Sequence, residues 1–396
     1  MLLTKCLACG SRDLHPILDL GRQALANDFH PFDRASRVYP LAVTRCARCT
    51  HAQLAETVAP EMLFSDYAYQ TGVSVGPDHY RMLLHQLAVR HGASASVLEV
   101  GCNDGTLLGA LHKAGFDVLG VDPAANLCRD VAGRGLPVHC GFWNVATAAE
   151  VNRTFDAIVA FNVLAHTADP RAFLSACRTA LKPGGAIYVQ TSQVHWLARG
   201  EFDCVYHEHV SYFTPQSMAA LARAAGLVMT RYVEVPDHGG SYRYVLEATG
   251  ETAMCPPAAT GRWIQREADE TAWAFRHLVQ RARADGPVAG YGACAKGMVA
   301  LQYAETDLDY IVDETPTKIG RYAPGSLTQI VEPAWLVGAA GPLTVVILAW
   351  NHYDAIARKV QSIRKGRPTR LLRYLPRCQT LGEFDVPTEP TWRTAA

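Results

Sequence analysis

The sequence has no excess of either charge: Lys plus Arg and Asp plus Glu each number 37 in 396 residues, and no block of one sign stands out. A protein that grips a nucleic-acid backbone carries a visible basic excess, so no nucleic-acid partner is expected. The chain also lacks any apolar run near the ~20 residues that cross a bilayer. Its opening Met1-Leu2-Leu3-Thr4-Lys5-Cys6 lacks the apolar stretch of a secretory signal. A cytoplasmic protein without a membrane partner is the expectation. In that reducing compartment the twelve cysteines are poor candidates for disulfides, so their spacing has to be read for metal or chemistry. The length is too great for one ordinary core and predicts two or three domains, with the oligomeric state left open.

Four of the cysteines stand in pairs. Cys6 with Cys9 and Cys46 with Cys49 each form a CxxC, and two intervening residues let a turn present both sulfurs to one ion. Four thiolates make a closed tetrahedral zinc site, structural rather than catalytic. The 11–45 insert then folds as a small irregular lobe. The competing reading is four unrelated free thiols. The other eight cysteines have no such pairing and read mostly as buried structural thiols.

From Ser96 onward, short apolar strands alternate with helices: 97–100, a helix from Thr106, 118–121, a helix from Ala124, and 157–161. This alternation marks a parallel α/β sheet, whose ligand crevice lies at the carboxyl ends of the strands. Glu99-Val100-Gly101-Cys102-Asn103-Asp104-Gly105 sits at the first such turn. A dinucleotide site needs G-x-G-x-x-G to admit its pyrophosphate; here the spacing is E-x-G-x-x-x-G. Acidic Glu99 and Asp104 repel phosphate and suit a sulfonium ligand. Asp122, ending the second strand, can accept hydrogen bonds from both ribose hydroxyls. Leu181-Lys182-Pro183-Gly184-Gly185 reads as a helix end turning into strand 186–190, and 229–235 with 242–247 as a terminal hairpin. This order resembles the class I methyltransferase fold. That resemblance implies S-adenosylmethionine held by Glu99, Gly101, Asn103, Gly105, Asp122 and Asn162, with Phe142 and Trp143 flanking adenine or simply packing in the core.

Tyr206-His207-Glu208-His209 follows that strand with a density of ionisable groups that packing does not account for. In an extended strand Tyr206 and Glu208 share one face and His207 and His209 the other; a turn or helix groups them differently. Acid/base catalysis is the expected use, with metal binding or a solvated surface as alternatives.

Six motifs now stand in order: the two CxxC pairs, the 99–105 turn, Asn162-Val163-Leu164-Ala165-His166, Tyr206-His207-Glu208-His209, His238-Gly239-Gly240-Ser241, and Gly290-Tyr291-Gly292-Ala293-Cys294-Ala295-Lys296-Gly297. Together they resemble the bacterial deoxysugar C-methyltransferases, a family that includes C-3 methyltransferases acting on dTDP-linked 4-keto sugars in antibiotic biosynthesis. The resemblance spans nearly the full length. It implies an α/β protein with a zinc lobe (1–70), a class I Rossmann-like methyltransferase domain (71–250) and a C-terminal Rossmann-like domain (251–396) that binds a dTDP-sugar. Carbon beside a ketone is acidic enough for an enzymic base, and His209 is the expected base. Tyr206 and His166 are then donors to the enolate oxygen, and Glu208 orients His209 or a sugar hydroxyl. His166 also reads as a helix-terminus histidine bonded to backbone. A non-sugar ketone or phenol acceptor, or a zinc-containing interaction protein with a vestigial cofactor fold, are the other function classes. Tyr69-Gln70-Thr71, Phe161 and Cys294 depart from the family pattern beside candidate acceptor positions.

In the C-terminal third, 260–284 reads as a long amphipathic helix, followed by strand 288–290, a glycine turn, and strands 310–313 and 344–350. Gly290-x-Gly292 opens a helix with Lys296 one turn in, a setting for a diphosphate. Asp313 is followed by no complete dinucleotide fingerprint, which disfavours NAD. Tyr69, His207, Tyr291, Lys296 and Asn351 complete the expected acceptor contacts.

Overall fold

The computed structural model describes residues 1–32, 36–64, 80–192, 195–237, 240–339, 341–376 and 378–381. Tyr69, expected at the acceptor, lies outside them, as do Gln70, Thr71, His238 and Gly239. The chain forms two compact units. The first holds Met1–Pro16, Thr44–Val194 and Glu208–Ala258, and the second Ile17–Val43, His195–His207 and Ala259–Ala396. Neither unit is a single continuous stretch of chain. Strands β1 (Leu14–Ala24) and β2 (Val38–Cys46) carry it out of the cysteine module and back, and residues 195–207 belong with the carboxyl-terminal part. A sequence read as a string shows no such interleaving.

In the first unit, the short strand β3 (Ala52–Leu54) follows the second CxxC. Beyond it lie β4 (Ser96–Val100), β5 (Asp117–Asp122), β6 (Val138–Cys140), β7 (Phe155–Phe161), β8 (Leu181–Ser192), β9 (Ser211–Tyr212), β10 (Val228–Val235) and β11 (Ser241–Glu247). Seven of these make one sheet in the order β10-β11-β8-β7-β4-β5-β6. It is parallel from β6 to β8 and ends in the antiparallel hairpin β10–β11. This is the class I methyltransferase order expected from the sequence. The strands are apolar on both sides because helices cover both faces: Leu98, Ile158 and Val189 pack with Phe173, Leu174 and Leu221, while Val97, Val118 and Val159 pack with Leu83, Leu87 and Leu108.

One reading needs correction. The preceding helix stops at Thr179, and Leu181 already pairs with Phe155. The Lys182-Pro183-Gly184-Gly185 run is thus an irregular start of β8, with the register shifting opposite residues 155–157, and not a helix end.

The second unit carries β12 (Val288–Tyr291), β13 (Tyr310–Val312), β14 (Gln329–Val331), β15 (Leu343–Ile347), β16 (Thr369–Arg373) and β17 (Gln379–Leu381) in the order β14-β13-β12-β15-β16-β17. Only β17 runs antiparallel. The long helix begins at Ile264 and ends at Arg283. Trp350 and Asn351, expected to end a strand, instead form a 3-10 turn after β15 has finished. Among the described residues no helix is long and apolar enough to cross a membrane.

Candidate active site

The donor crevice is built where β4 and β5 end. Gly101 (φ +73°) turns the chain, with its N–H on the Val121 carbonyl at 2.8 Å. A Cβ there would lie 2.9 Å from Val163 Cγ2, so the turn requires glycine twice over, for its left-handed backbone and for the close approach of the 162–166 segment. Asn103 and Gly105 are also left-handed, and Gly105 opens the helix Thr106–Lys113. The Asp122 carboxylate accepts the Asn103 N–H at 2.8 Å and the Ala124 N–H at 2.9 Å. Each oxygen keeps a lone pair for a ligand hydroxyl.

Two buried oxygens in this crevice have no hydrogen-bond partner: Glu99 Oε2 and Asn162 Oδ1. Such orphans are costly unless a ligand satisfies them. Burial, and then the charges of Asp122 and Asp104, push the Glu99 carboxyl well above its usual range. A cationic ligand would relieve that repulsion, so the residues fit an adenosyl sulfonium with an ammonium group. Of the expected adenine pair, Trp143 is buried in the core with its indole N–H on Cys177 Sγ at 3.2 Å. That leaves half-buried Phe142, whose carbonyl accepts the Thr147 hydroxyl at 2.6 Å.

Asn162 (φ +54°) leads into a 3-10 turn, Leu164–His166. The His166 Nδ1–H donates to the Glu208 carbonyl at 2.8 Å, and its ring centroid lies 4.9 Å from that of His209. Burial outweighs the neighbouring carbonyls of Glu208 and Asn162 and draws His166 down to about 4. The neutral ring therefore presents a lone pair at Nε2. This corrects the donor role expected of His166 toward an enolate oxygen: its one N–H is already spent on backbone, as the helix-terminus reading had it. His209 and Glu208 are both buried, and His209 also lies edge-on to Tyr212 at 6.2 Å.

His207 and Glu208 form a turn and not a strand, so the alternating-face grouping does not hold. His207 falls in the second unit, edge-on to Tyr39 at 5.9 Å, with burial lowering its pKa. His209 stands with His166 in the first. Half-buried Tyr206 precedes the turn.

Four cysteine sulfurs gather as the spacing implied. Cys6 and Cys49 Sγ lie 3.5 Å apart, Cys9 and Cys46 Sγ 3.6 Å, and all four ligand atoms are within 4.8 Å of one another. Zinc–sulfur bonds of ~2.3 Å in a tetrahedron give edges of ~3.8 Å, so the cage fits one zinc ion. The module grips the histidine segment directly. β3 pairs with β9, Leu54 N–H donates to the Val210 carbonyl at 3.0 Å, and His51 Nε2 meets Ser211 Oγ at 3.2 Å.

The second unit repeats the crevice device. Gly292 (φ +89°) donates its N–H to the Val312 carbonyl at 2.8 Å, as Gly101 does to Val121. Asp313 accepts from the Ala293 N–H at 2.7 Å and the Thr315 N–H at 2.8 Å, as Asp122 does from Asn103 and Ala124. Lys296, in the first turn of helix Ala295–Tyr303, buries an Nζ with no hydrogen-bond partner 4.7 Å over the Trp350 ring. The Tyr291 hydroxyl donates to Glu314 at 2.6 Å, and Asn351 is exposed. Sequence reasoning passed over Asp203 and Glu201. Both are buried in this unit; Asp203 Oδ2 accepts from Trp350 Nε1 and the Tyr374 hydroxyl at 2.7 Å each, and its Oδ1 has no partner. The available signal was the pair of acids immediately ahead of Tyr206.

The chain matches three domain families: a zinc binding domain over residues 6–64, a methyltransferase domain over 76–232, and a C-methyltransferase C-terminal domain over 257–376. C-methyltransferase NovU of Streptomyces niveus is 29% identical over 389 residues, covering 89% of this chain and 91% of that protein. A ubiquinone biosynthesis O-methyltransferase of Cereibacter sphaeroides is also 29% identical, but over 153 residues, 33% of this chain and 59% of its own length. Among solved structures, an S-adenosylmethionine-dependent methyltransferase from Clostridium acetobutylicum aligns with 45% of this chain and 94% of its own, at 14% identity and a TM-score of 0.38. With the donor crevice, the four-sulfur cage and three family matches in chain order, the protein is an S-adenosylmethionine-dependent C-methyltransferase that joins a zinc binding domain, a methyltransferase domain and a C-methyltransferase C-terminal domain.

Proposed function

We propose that the enzyme methylates a carbon beside the ketone of a dTDP-linked deoxysugar, in the biosynthesis of an antibiotic or related natural product. The observation that carries this reading is the buried pair His166–His209, reached from the donor crevice through Asn162 and the 3-10 turn that follows it. When bound, S-adenosylmethionine supplies an electrophilic methyl group. A carbon acceptor must first lose a proton, and the chain offers a base for it.

His209 is that base. His166, neutral and fixed by its bond to the Glu208 carbonyl, holds the Glu208–His209 backbone and packs against the His209 ring. Tyr206 supplies the hydroxyl for the developing enolate oxygen, and Glu208 orients His209 or a sugar hydroxyl. Stabilising an oxyanion by a placed donor contributes ~3 kcal/mol, and general base catalysis ~10²–10⁴-fold. In the second unit, Gly292, the start of helix Ala295–Tyr303 and Lys296, whose Nζ has no hydrogen-bond partner, make a turn suited to a diphosphate. Support for a carbon acceptor comes from the C-methyltransferase match over 257–376 and from NovU, similar along most of both chains.

The test is a reaction of the protein with methyl-¹³C-labelled S-adenosylmethionine and a dTDP-4-keto-deoxysugar, read by NMR for a new carbon-bound methyl. His209→Ala should lower turnover by at least ~10²-fold while still binding the donor. An oxygen-bound methyl, or full activity in that variant, would overturn the reading.

A further inference from the structure

Buried where β8 and β11 pair in the first unit's sheet is a cation that the site described above does not use. Arg243, in β11 directly opposite Gln190 of β8, is 9% exposed. A guanidinium removed from water costs several kcal/mol unless it is well paired, and the usual partner is a carboxylate taken by two parallel N–H groups. Here that fork closes on a neutral oxygen: Nε and Nη2 donate to Gln190 Oε1 at 3.2 and 2.9 Å. The nearest carboxylate, Asp237 Oδ2, stands 3.7 Å from Nη2 and accepts the Gln190 side-chain N–H at 3.1 Å. The charge is buried, held in place, and only partly compensated.

Its position connects it to the donor crevice. The guanidinium carbon lies 4.8 Å over the ring of Phe161, the residue before Asn162. Gln190, which Arg243 holds by its side chain, accepts the Asn162 N–H on its main-chain carbonyl at 2.9 Å. At the other end of the same crevice stand Glu99, Asp104 and Asp122. The charge pattern is thus three acids toward β4 and β5 and one buried cation toward β7 and β8. S-adenosylmethionine carries a sulfonium, an ammonium and one carboxylate. The acids suit the first two and leave the carboxylate without a counter-charge.

We propose that Arg243 is the counter-charge for the carboxylate of the methyl donor, held ready by Gln190, Asp237 and the Phe161 ring. Gln190 serves as the neutral placeholder that fixes the guanidinium without neutralising it, so that the donor's carboxylate meets an incompletely paired cation. This rests on the donor being S-adenosylmethionine and is independent of what the acceptor is.

The experiment is equilibrium binding by calorimetry, using the zinc-loaded full chain and two ligands: S-adenosylmethionine and its decarboxylated analogue, which keeps the sulfonium and the amine. A charge-assisted contact of this kind corresponds to a preference of about 10- to 100-fold for the carboxylated ligand. Arg243→Met should bring the two affinities within about threefold of each other by weakening S-adenosylmethionine alone, leaving the analogue's affinity where it was. Arg243→Gln, which keeps a polar side chain beside Gln190, should do the same and decides the matter if the methionine variant does not fold. An unmutated protein that binds both ligands equally, or a folded variant that keeps the wild-type preference, overturns the assignment.

Discussion

Burial sets the chemistry of the histidine at residue 166. Its ring is drawn down to about 4 because an imidazolium there would lose its water, and the carbonyls of Glu208 and Asn162 only partly offset that loss. An unfolded histidine titrates near ~6.5. Between those values the unfolded chain binds a proton that the folded chain does not. The stability tied to this group is therefore whole above pH ~6.5 and is lost as pH falls toward 4, at up to about 1.4 kcal/mol per unit. His166→Asn keeps an N–H for the Glu208 carbonyl and removes the titration. In urea unfolding at pH 7.5 and 5.5, the wild-type protein should lose more stability than the variant; equal losses would show that His166 does not titrate across this range. How much of this was visible beforehand is uneven. His166 and His209 stand out in the sequence as ionisable residues in motifs, but which nitrogen of His166 carries the proton depends on a carbonyl 42 positions away. Likewise Trp143 sits where a sequence allows either an adenine neighbour or a core residue, and only its bond to Cys177 places it in the core.

At the scale of elements, the zinc module is more than an appendage. Residues 50–54, immediately after Cys49, hold residues 210–214 through the β3–β9 pairing, the Leu54–Val210 and His51–Ser211 bonds, and the Thr50 hydroxyl 2.9 Å from that of Thr214. The held stretch begins one residue after His209. Structural zinc contributes ~10–16 kcal/mol of binding energy to small modules, comparable with the whole stability of an ordinary domain, so removing the ion is expected to loosen the loop. Cys46→Ser, or exhaustive chelation, should abolish stoichiometric zinc in a chromophoric assay and lower kcat at least tenfold. Donor affinity, set by the turn at 99–105, should change by less than about threefold. Unaltered kcat in the zinc-free protein would separate the module from the histidines. The elements themselves were largely legible where apolar runs are short and flanked by glycine, as from β4 to β7. They were not where the local signal is weak. Gln329–Val331 is three residues long, Thr369–Arg373 mixes apolar with charged side chains, and Tyr206-His207-Glu208-His209 contains nothing that distinguishes a turn from a strand.

For the whole molecule, the informative fact is that one local device occurs twice. A left-handed glycine after a parallel strand, and an aspartate at the end of the next strand taking two backbone amides, appear at Gly101 with Asp122 and again at Gly292 with Asp313. Sequence comparison of the two turns hides this, because the shared part is backbone geometry and one acid, while the side chains around it differ: Glu99 and Asp104 at the first, and at the second Lys296 and Lys318, with Glu201 and Asp203 acting on the same turn. Lys318 donates to the Ala293 carbonyl at 2.8 Å, so it belongs to the turn and not to the solvated surface. The interleaving of residues 17–43 and 195–207 with the carboxyl-terminal part was equally invisible, since it depends on long-range pairing and not on composition. The lysines present only at the second turn predict different ligands: a cationic donor at the first turn and an anionic nucleotide at the second. On that reasoning dTDP alone should stabilise the protein, by about 2.7 kcal/mol at a hundredfold excess over Kd, and raise its melting temperature by a few degrees. Lys296→Met should remove that shift and leave the shift given by S-adenosylmethionine intact. If dTDP has no effect at saturation, or if the methionine variant loses both shifts together, the second turn does not hold a nucleotide diphosphate by its own charge.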